Sequence, residues 1–169
     1  MANLKPLIMR ANRLLGASLV EKGLVSIDDL DEANDRLLEL MSTDASCVQV
    51  NLLSILVGEK QAINENDLLE FLVEDHGLGL VDVRDMDLPD SIKNSLDVRA
   101  CWATLTVPFD KVEDTTYLAT AYYLSPAART HWEEKLSGHV VWYATSVDSL
   151  TDFLEKYETA VSAAVAGVN

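Results

Sequence analysis

Four aspartates stand close together at Asp82, Asp85, Asp87 and Asp90, and clustered carboxylates are the donors a calcium loop uses. This run lacks the central glycine and the closing glutamate of an EF-hand loop, so solvation and helix capping account for the residues more simply. The histidines, His76, His131 and His139, have no metal-ligand spacing. His76, directly before Gly77, reads as a helix C-terminal residue favoured by the helix dipole. His131, directly before Trp132, reads as structural. None of the seven glycines is followed by Lys-Ser or Lys-Thr, so the sequence carries no phosphate loop. Ser, Cys and His form no nucleophile elbow. Trp102, Trp132 and Trp142 fall at strand or helix positions and read as core or interface anchors. With no acid, base or nucleophile assembled, the sequence points away from an enzyme, and no cofactor or metal is expected.

Charge narrows the partners. The chain has 169 residues, 28 acidic against 13 basic, for a net charge of −15. Such a surface repels nucleic-acid phosphates and anionic lipid headgroups, so neither nucleic acid nor direct membrane insertion is expected. Cys47 and Cys101 lie far apart without a CxxC and read as free thiols, because nothing indicates an oxidising compartment. No apolar run reaches spanning length, and Leu4 to Val20 is broken by Arg10 and Arg13, so the expected location is cytoplasmic. Apolar residues make up 49%, enough for a sizeable core.

These residues must be held by elements that the periodicity predicts. Leu7, Ile8, Leu14, Leu15 and Leu19 predict a helix over 5–22, with Pro6 in its first turn and Gly23 as its stop. Ser26 opens a second helix to about Met41, with Leu30, Ala33, Leu37 and Leu38 facing inward. A polar connection over 42–46 leads to a third helix over 48–59. Asn64 caps a fourth, with Leu68, Leu69, Leu72 and Val73 on its apolar face, ending at Gly77 and Gly79. Leu80 to Val83 is a short apolar run, and Pro89 opens a short helix through Leu96. Trp102 to Phe109 and Thr115 to Tyr122 predict an antiparallel hairpin turning at 110–114. A helix over 127–136, a strand over 140–144 and a helix over 146–161 follow, the last with Leu150, Phe153, Leu154 and Tyr157 on one face. The expected fold class is α+β: a helical lobe over 1–79, then a small α/β lobe over 80–169 with a short mixed or antiparallel sheet.

A shift of 38 positions lays the first helical pair on the second. Leu14-Leu15-Gly16 falls on Leu52-Leu53-Ser54, Glu21-Lys22 on Glu59-Lys60, Val25-Ser26 on Ile63-Asn64, and Asp29-Leu30 on Asp67-Leu68. Each unit is a helix, a tight corner and a capped helix, and two such αα-hairpins can bury together the stripes that neither buries alone. The repeat predicts Leu19 opposite Val57 and Leu30 opposite Leu68, all buried.

The run Leu15-Gly16-Ala17-Ser18-Leu19-Val20-Glu21-Lys22-Gly23-Leu24-Val25, followed by Leu30, resembles a family signature. That signature, Leu-Gly-x-x-Leu-Val-x-x-Gly-x-Ile…Leu, marks the N-terminal domain of type II secretion and type IV pilus assembly ATPases. A second copy spans Leu53 to Leu72, and Gly77-Leu78-Gly79-Leu80-Val81-Asp82-Val83 is similar to the family's Gly-Leu-Pro-x-Val-Asp-Leu run. The resemblance covers about residues 12–158. It implies either of two roles, docking on the cytoplasmic part of an inner-membrane secretion or pilus component, or binding cyclic di-GMP through tandem motifs.

Each cyclic di-GMP motif opens with an arginine directly before Leu-Gly and closes with a glutamine on the second helix. Here the arginine positions are Leu14 and Leu52, and the closing positions are Leu37 and Asp75. The second copy has Ser54 and Gln61 where the motif has glycine. Arg13 stands one residue early, a rotation of about 100° on a helix. If a ligand site persists, the resemblance assigns it to Arg13, Leu15, Gly16, Leu19 and Gly23. The leading expectation is a non-catalytic docking module with a protein partner in a secretion or pilus system. The alternative is a cyclic di-GMP or other nucleotide sensor. A third reading is a fragment of a full ATPase, although Met1 and the tail ending at Asn169 read as natural ends.

Overall fold

Local capping chemistry sets the helical half. The computed structural model describes residues 4–43 and 49–167, with side chains through 162; Cys47 and the expected start of the third helix at Val48 lie outside the described residues. Helix α1 (Lys5–Glu21) buries Ile8, Ala11, Asn12, Leu15, Gly16 and Leu19, an i, i+3/i+4 stripe. Gly23 takes a left-handed φ of 72° and turns the chain. Helix α2 (Ile27–Thr43) follows, with Ser26 Oγ accepting from the Asp29 N–H. Its buried stripe is Ala33 and Leu37; Leu30 is half-buried. Leu38, expected inside, is 53% exposed, because one more residue of rotation carries it off the stripe.

The third helix is shorter than expected. Asn51 is extended, and its side chain accepts from the Ser54 N–H, so helix α3 starts at Leu52 and covers Leu52–Ser54. It runs on into a π-helical turn, Ile55–Glu59. Helix α4 (Glu65–His76) is capped by Asn64, which accepts from the Asn66 and Asp67 N–H groups, and ends at left-handed Gly77. Leu68 and Leu72 are buried on it. Of the repeat pairs, Leu19 and Leu68 are buried, while Val57 and Leu30 are half-buried.

The second half carries a four-stranded mixed sheet among the described residues, so the fold class is α+β as expected. The strands β1 (Gly79–Leu80), β2 (Thr106–Val112), β3 (Thr115–Thr120) and β4 (His139–Ala144) lie in the order β1-β4-β3-β2. The β2–β3 pair is antiparallel, and β4 runs parallel to both β3 and β1. Short helices α5 (Asp90–Lys93) and α6 (Val98–Thr104) precede β2, α7 (Pro126–Lys135) links β3 to β4, and α8 (Val147–Gly167) closes the fold.

One expectation is overturned here: residues 102–104 are helical. Asp97 accepts from the Ala100 N–H and starts α6. Leu105 then turns left-handed at φ 44°, and the strand begins only at Thr106. Trp102 therefore sits on a helix, where its Nε1–H donates to Glu158 on α8 at 2.6 Å. The β-branched residues that suggested a strand are real strand formers from Thr106 on, but the Asp97 cap wins upstream. The buried residues form a contiguous cluster from Ala11 to Leu154 that includes Leu52, Leu72, Cys101, Leu118 and Leu150.

Candidate functional site

The motif residues divide by helical rotation. Leu15, Gly16 and Leu19 face the interior, with Leu15 and Leu19 almost wholly covered. Arg13, two residues before Leu15, points about 200° away and is exposed. Gly23 lies at the exposed corner. The structure thus gathers Leu15, Gly16 and Leu19 in the hairpin core and places Arg13 and Gly23 elsewhere.

Gly16 leaves room on α1 for the side chains of Leu30 and Leu52. A Cβ on it would lie 2.7 Å from Leu30 Cδ1 and 3.2 Å from Leu52 Cδ2. Leu52, at the arginine position of the second motif, is 0% exposed. Leu14, at the first arginine position, is half-buried and faces α7 beside His131. Neither position presents a side chain to the same surface as Arg13.

What Arg13 does line is an open groove of about 460 Å³ between the first half of α1 and the second half of α2. Met9, Arg10 and Arg13 form one wall, and Asn34, Leu37 and Leu38 the other. Met9 is 42% exposed. Leu37 is the closing position of the first motif and forms part of the floor. Among the described residues, no acidic side chain lines the groove. Neither Arg10 nor Arg13 has a salt-bridge partner among the described residues, whereas Arg36, Lys60, Arg84, Lys135 and Lys156 are all paired.

The remaining candidates are held by structural contacts. Arg84 clamps Asp82, which also accepts from Ser149 Oγ, and these bonds hold its carboxyl well below the usual range. Asp85 is exposed beside Lys156, and Asp90 lies in the first turn of α5. Among the described residues, no group of His, Cys, Asp or Glu could hold a metal ion. His76 ends α4 and meets Phe71 and Tyr123 edge to face. His139 opens β4. His131 packs against Trp132, and its Nε2 is buried without a hydrogen-bond partner among the described residues. Burial, with Lys135 nearby, lowers its pKa. Cys101 is buried on α6, and burial pushes its thiol pKa up. Among the described residues, no helix is long and apolar enough to cross a membrane.

Sequence reasoning passed over one buried polar cluster. Asn12 Oδ1 accepts from the Leu52 N–H at 3.0 Å and from the Tyr122 O–H at 2.5 Å, while Tyr122 Oη accepts from the Leu53 N–H at 3.3 Å. With Asn51 accepting from Ser54, the first three N–H groups of α3 are all satisfied. An asparagine among the leucines of α1 was the available signal.

The sequence matches no protein-family model and no curated protein. Solved structures do share its fold. The N-terminal domain of XpsE superposes with a TM-score of 0.54 at 20% identity, covering 86% of this chain and 94% of that one. A second crystal form gives 0.52 at 19%, covering 92% and 97%. A structure of MshE with cdg gives 0.52 at 20%, covering 85% and 97%. The chain therefore has the fold of the N-terminal domains of these type II secretion and pilus ATPases, the fold that the tandem motif implied.

Proposed function

We propose that this chain is a non-catalytic docking module that binds a protein of a bacterial secretion or pilus system. The observation that carries this reading is the burial of Leu52 against Gly16. At that position the tandem cyclic di-GMP motif needs an arginine reaching the ligand; here a leucine closes the hairpin core. Leu14, the other such position, is turned to α7. The sequence has no phosphate loop that could hold ATP. What persists is the fold and an exposed surface, which is what docking requires. The test is co-purification from a native host with the cytoplasmic part of an inner-membrane secretion or pilus component. Stoichiometric recovery is expected; its absence in cells expressing both proteins refutes the reading.

A second reading, a cyclic di-GMP sensor, draws support from Arg13, which is exposed on an open groove beside the closing position Leu37. The structurally similar MshE was solved with cdg. Micromolar affinity needs about −8 kcal/mol, and the missing charge-assisted arginine bonds supply roughly 1.5–3 kcal/mol each. Calorimetry at low salt is expected to give no isotherm at micromolar cyclic di-GMP. A saturable micromolar isotherm abolished by Arg13→Ala puts the sensor first.

A further inference from the structure

We infer that the groove between α1 and α2 is the docking surface, and that its occupant is an amphipathic helix carrying acidic residues beside its apolar stripe. The inference rests on the docking reading above. In a chain of net charge −15, this groove is lined among the described residues by two cations and no acid. Both cations lack salt-bridge partners among the described residues, so their charge is available to a ligand. Between them and α2 lies an apolar strip in which Met9 and Leu38 are exposed and Leu37 forms the floor. A groove between two helices accepts the side-chain ridge of a third, and anchors at i, i+3, i+4 and i+7 would fill it. Carboxylates on the flank of that helix would meet Arg10 and Arg13, while the acidic remainder of the surface would repel them. Local field thus selects both the site and the orientation of the bound helix. A basic helix would be drawn to the acidic surface elsewhere and would leave the arginines unpaired.

The probe is a fluorescent helical peptide of roughly 18 residues, about 27 Å long, with leucines at i, i+3, i+4 and i+7 and glutamates on both flanks. Its counterpart has lysines on the flanks. Anisotropy at low salt is expected to show saturable binding of the glutamate peptide to the full chain. The affinity should fall at least about tenfold in Arg10→Glu plus Arg13→Glu, and similarly in Leu38→Glu. All three positions are exposed, so circular dichroism should report an unchanged fold. Absence of binding, equal binding of the lysine peptide, or indifference to the charge reversal overturns the inference. A nucleotide occupant would show instead as cyclic di-GMP competing the peptide off the groove. Co-purification separates the two levels. If the unmodified chain recovers the secretion or pilus component and the doubly reversed chain does so equally well, docking stands and this groove is the wrong surface. If the unmodified chain recovers nothing, the docking reading itself falls.

Discussion

Tyr122, at the end of the β2–β3 hairpin, donates its hydroxyl to Asn12 in α1 across 110 positions of sequence, with both residues essentially out of solvent. The pair also accepts the N–H groups of Leu52 and Leu53, so one cluster joins α1, the start of α3 and the sheet. Burial raises the Tyr122 pKa, which keeps the hydroxyl protonated as a donor. Tyr122→Phe strands the Leu53 N–H and should cost about 1–3 kcal/mol. Asn12→Ala strands the Leu52 N–H and the tyrosine hydroxyl together, and should cost more. The double variant should cost less than the sum, because the two residues share partners. Urea denaturation of the four proteins checks all three statements.

Restoring the motif's arginine at the second copy should not restore a ligand site. Leu52 is fully covered, and Leu52→Arg would place an unpaired cation against Gly16 and Leu30. The expected loss is several kcal/mol, enough to unfold a domain of ordinary stability. Leu14→Arg, at a half-buried position on the α7 side, should be far milder. A soluble, cooperatively folding Leu52→Arg protein that gains micromolar cyclic di-GMP binding contradicts this.

The hairpin repeat was legible because its signals are local: the glycine corner at Gly23, the caps at Ser26 and Asn64, and leucines at helical spacing. Residues 102–104 were misread because tryptophan and threonine suit a strand, and only the Asp97 cap upstream reverses the choice. The site was harder to read for a different reason. Which side of α1 faces solvent depends on what α2 and α7 cover, so the opposed directions of Arg13 and Leu15 became visible only after packing. Leu38 shows the same dependence, since the sequence marks it apolar and the fold leaves it on the groove wall.

Two titrations should shape the acid side of the stability curve, in separate windows. His131 has a lowered pKa, first through burial and then through Lys135, despite the opposing Asp97 and Glu134. The unfolded chain therefore binds a proton before the folded one, and stability falls as pH drops from about 6.5 to the lower folded value. His131→Gln should flatten that limb. For Asp97, burial raises the pKa, but the Ala100 N–H and Lys135 outweigh it and the net direction is down. Its contribution is present above the usual carboxylate value of about 3.9 and is lost as pH falls through the folded value. Asp97→Asn keeps a cap acceptor and removes the charge, so it should weaken the more acidic limb and, by removing a charge that opposes the His131 shift, deepen the His131 limb. Melting temperature against pH for the three proteins separates the two limbs.

The two hairpin corners offer a test of the repeat itself. Gly23 and Gln61, 38 positions apart, both adopt left-handed backbone, at φ 72° and 49°. In the first corner the Lys22 N–H donates to Ser18, four residues back, and the Leu24 N–H to Leu19. In the second the Lys60 N–H donates to Ile55, five residues back, and the Ala62 N–H to Leu56. The π-helical turn takes up one residue and still delivers the chain to the same kind of corner. Left-handed backbone costs a residue with a Cβ roughly 1–2 kcal/mol, which glycine avoids. Gly23→Ala should therefore destabilise the protein by about 1 kcal/mol or more, although space is open around its Cβ position. Gln61→Gly should act in the opposite sense. It relieves the strain but gives back unfolded-chain entropy, for a net gain of about 0.5–1 kcal/mol. Paired urea titrations on the two variants read both signs at once, and a destabilised Gln61→Gly protein would mean that the glutamine side chain secures the second corner in a way the first does not need.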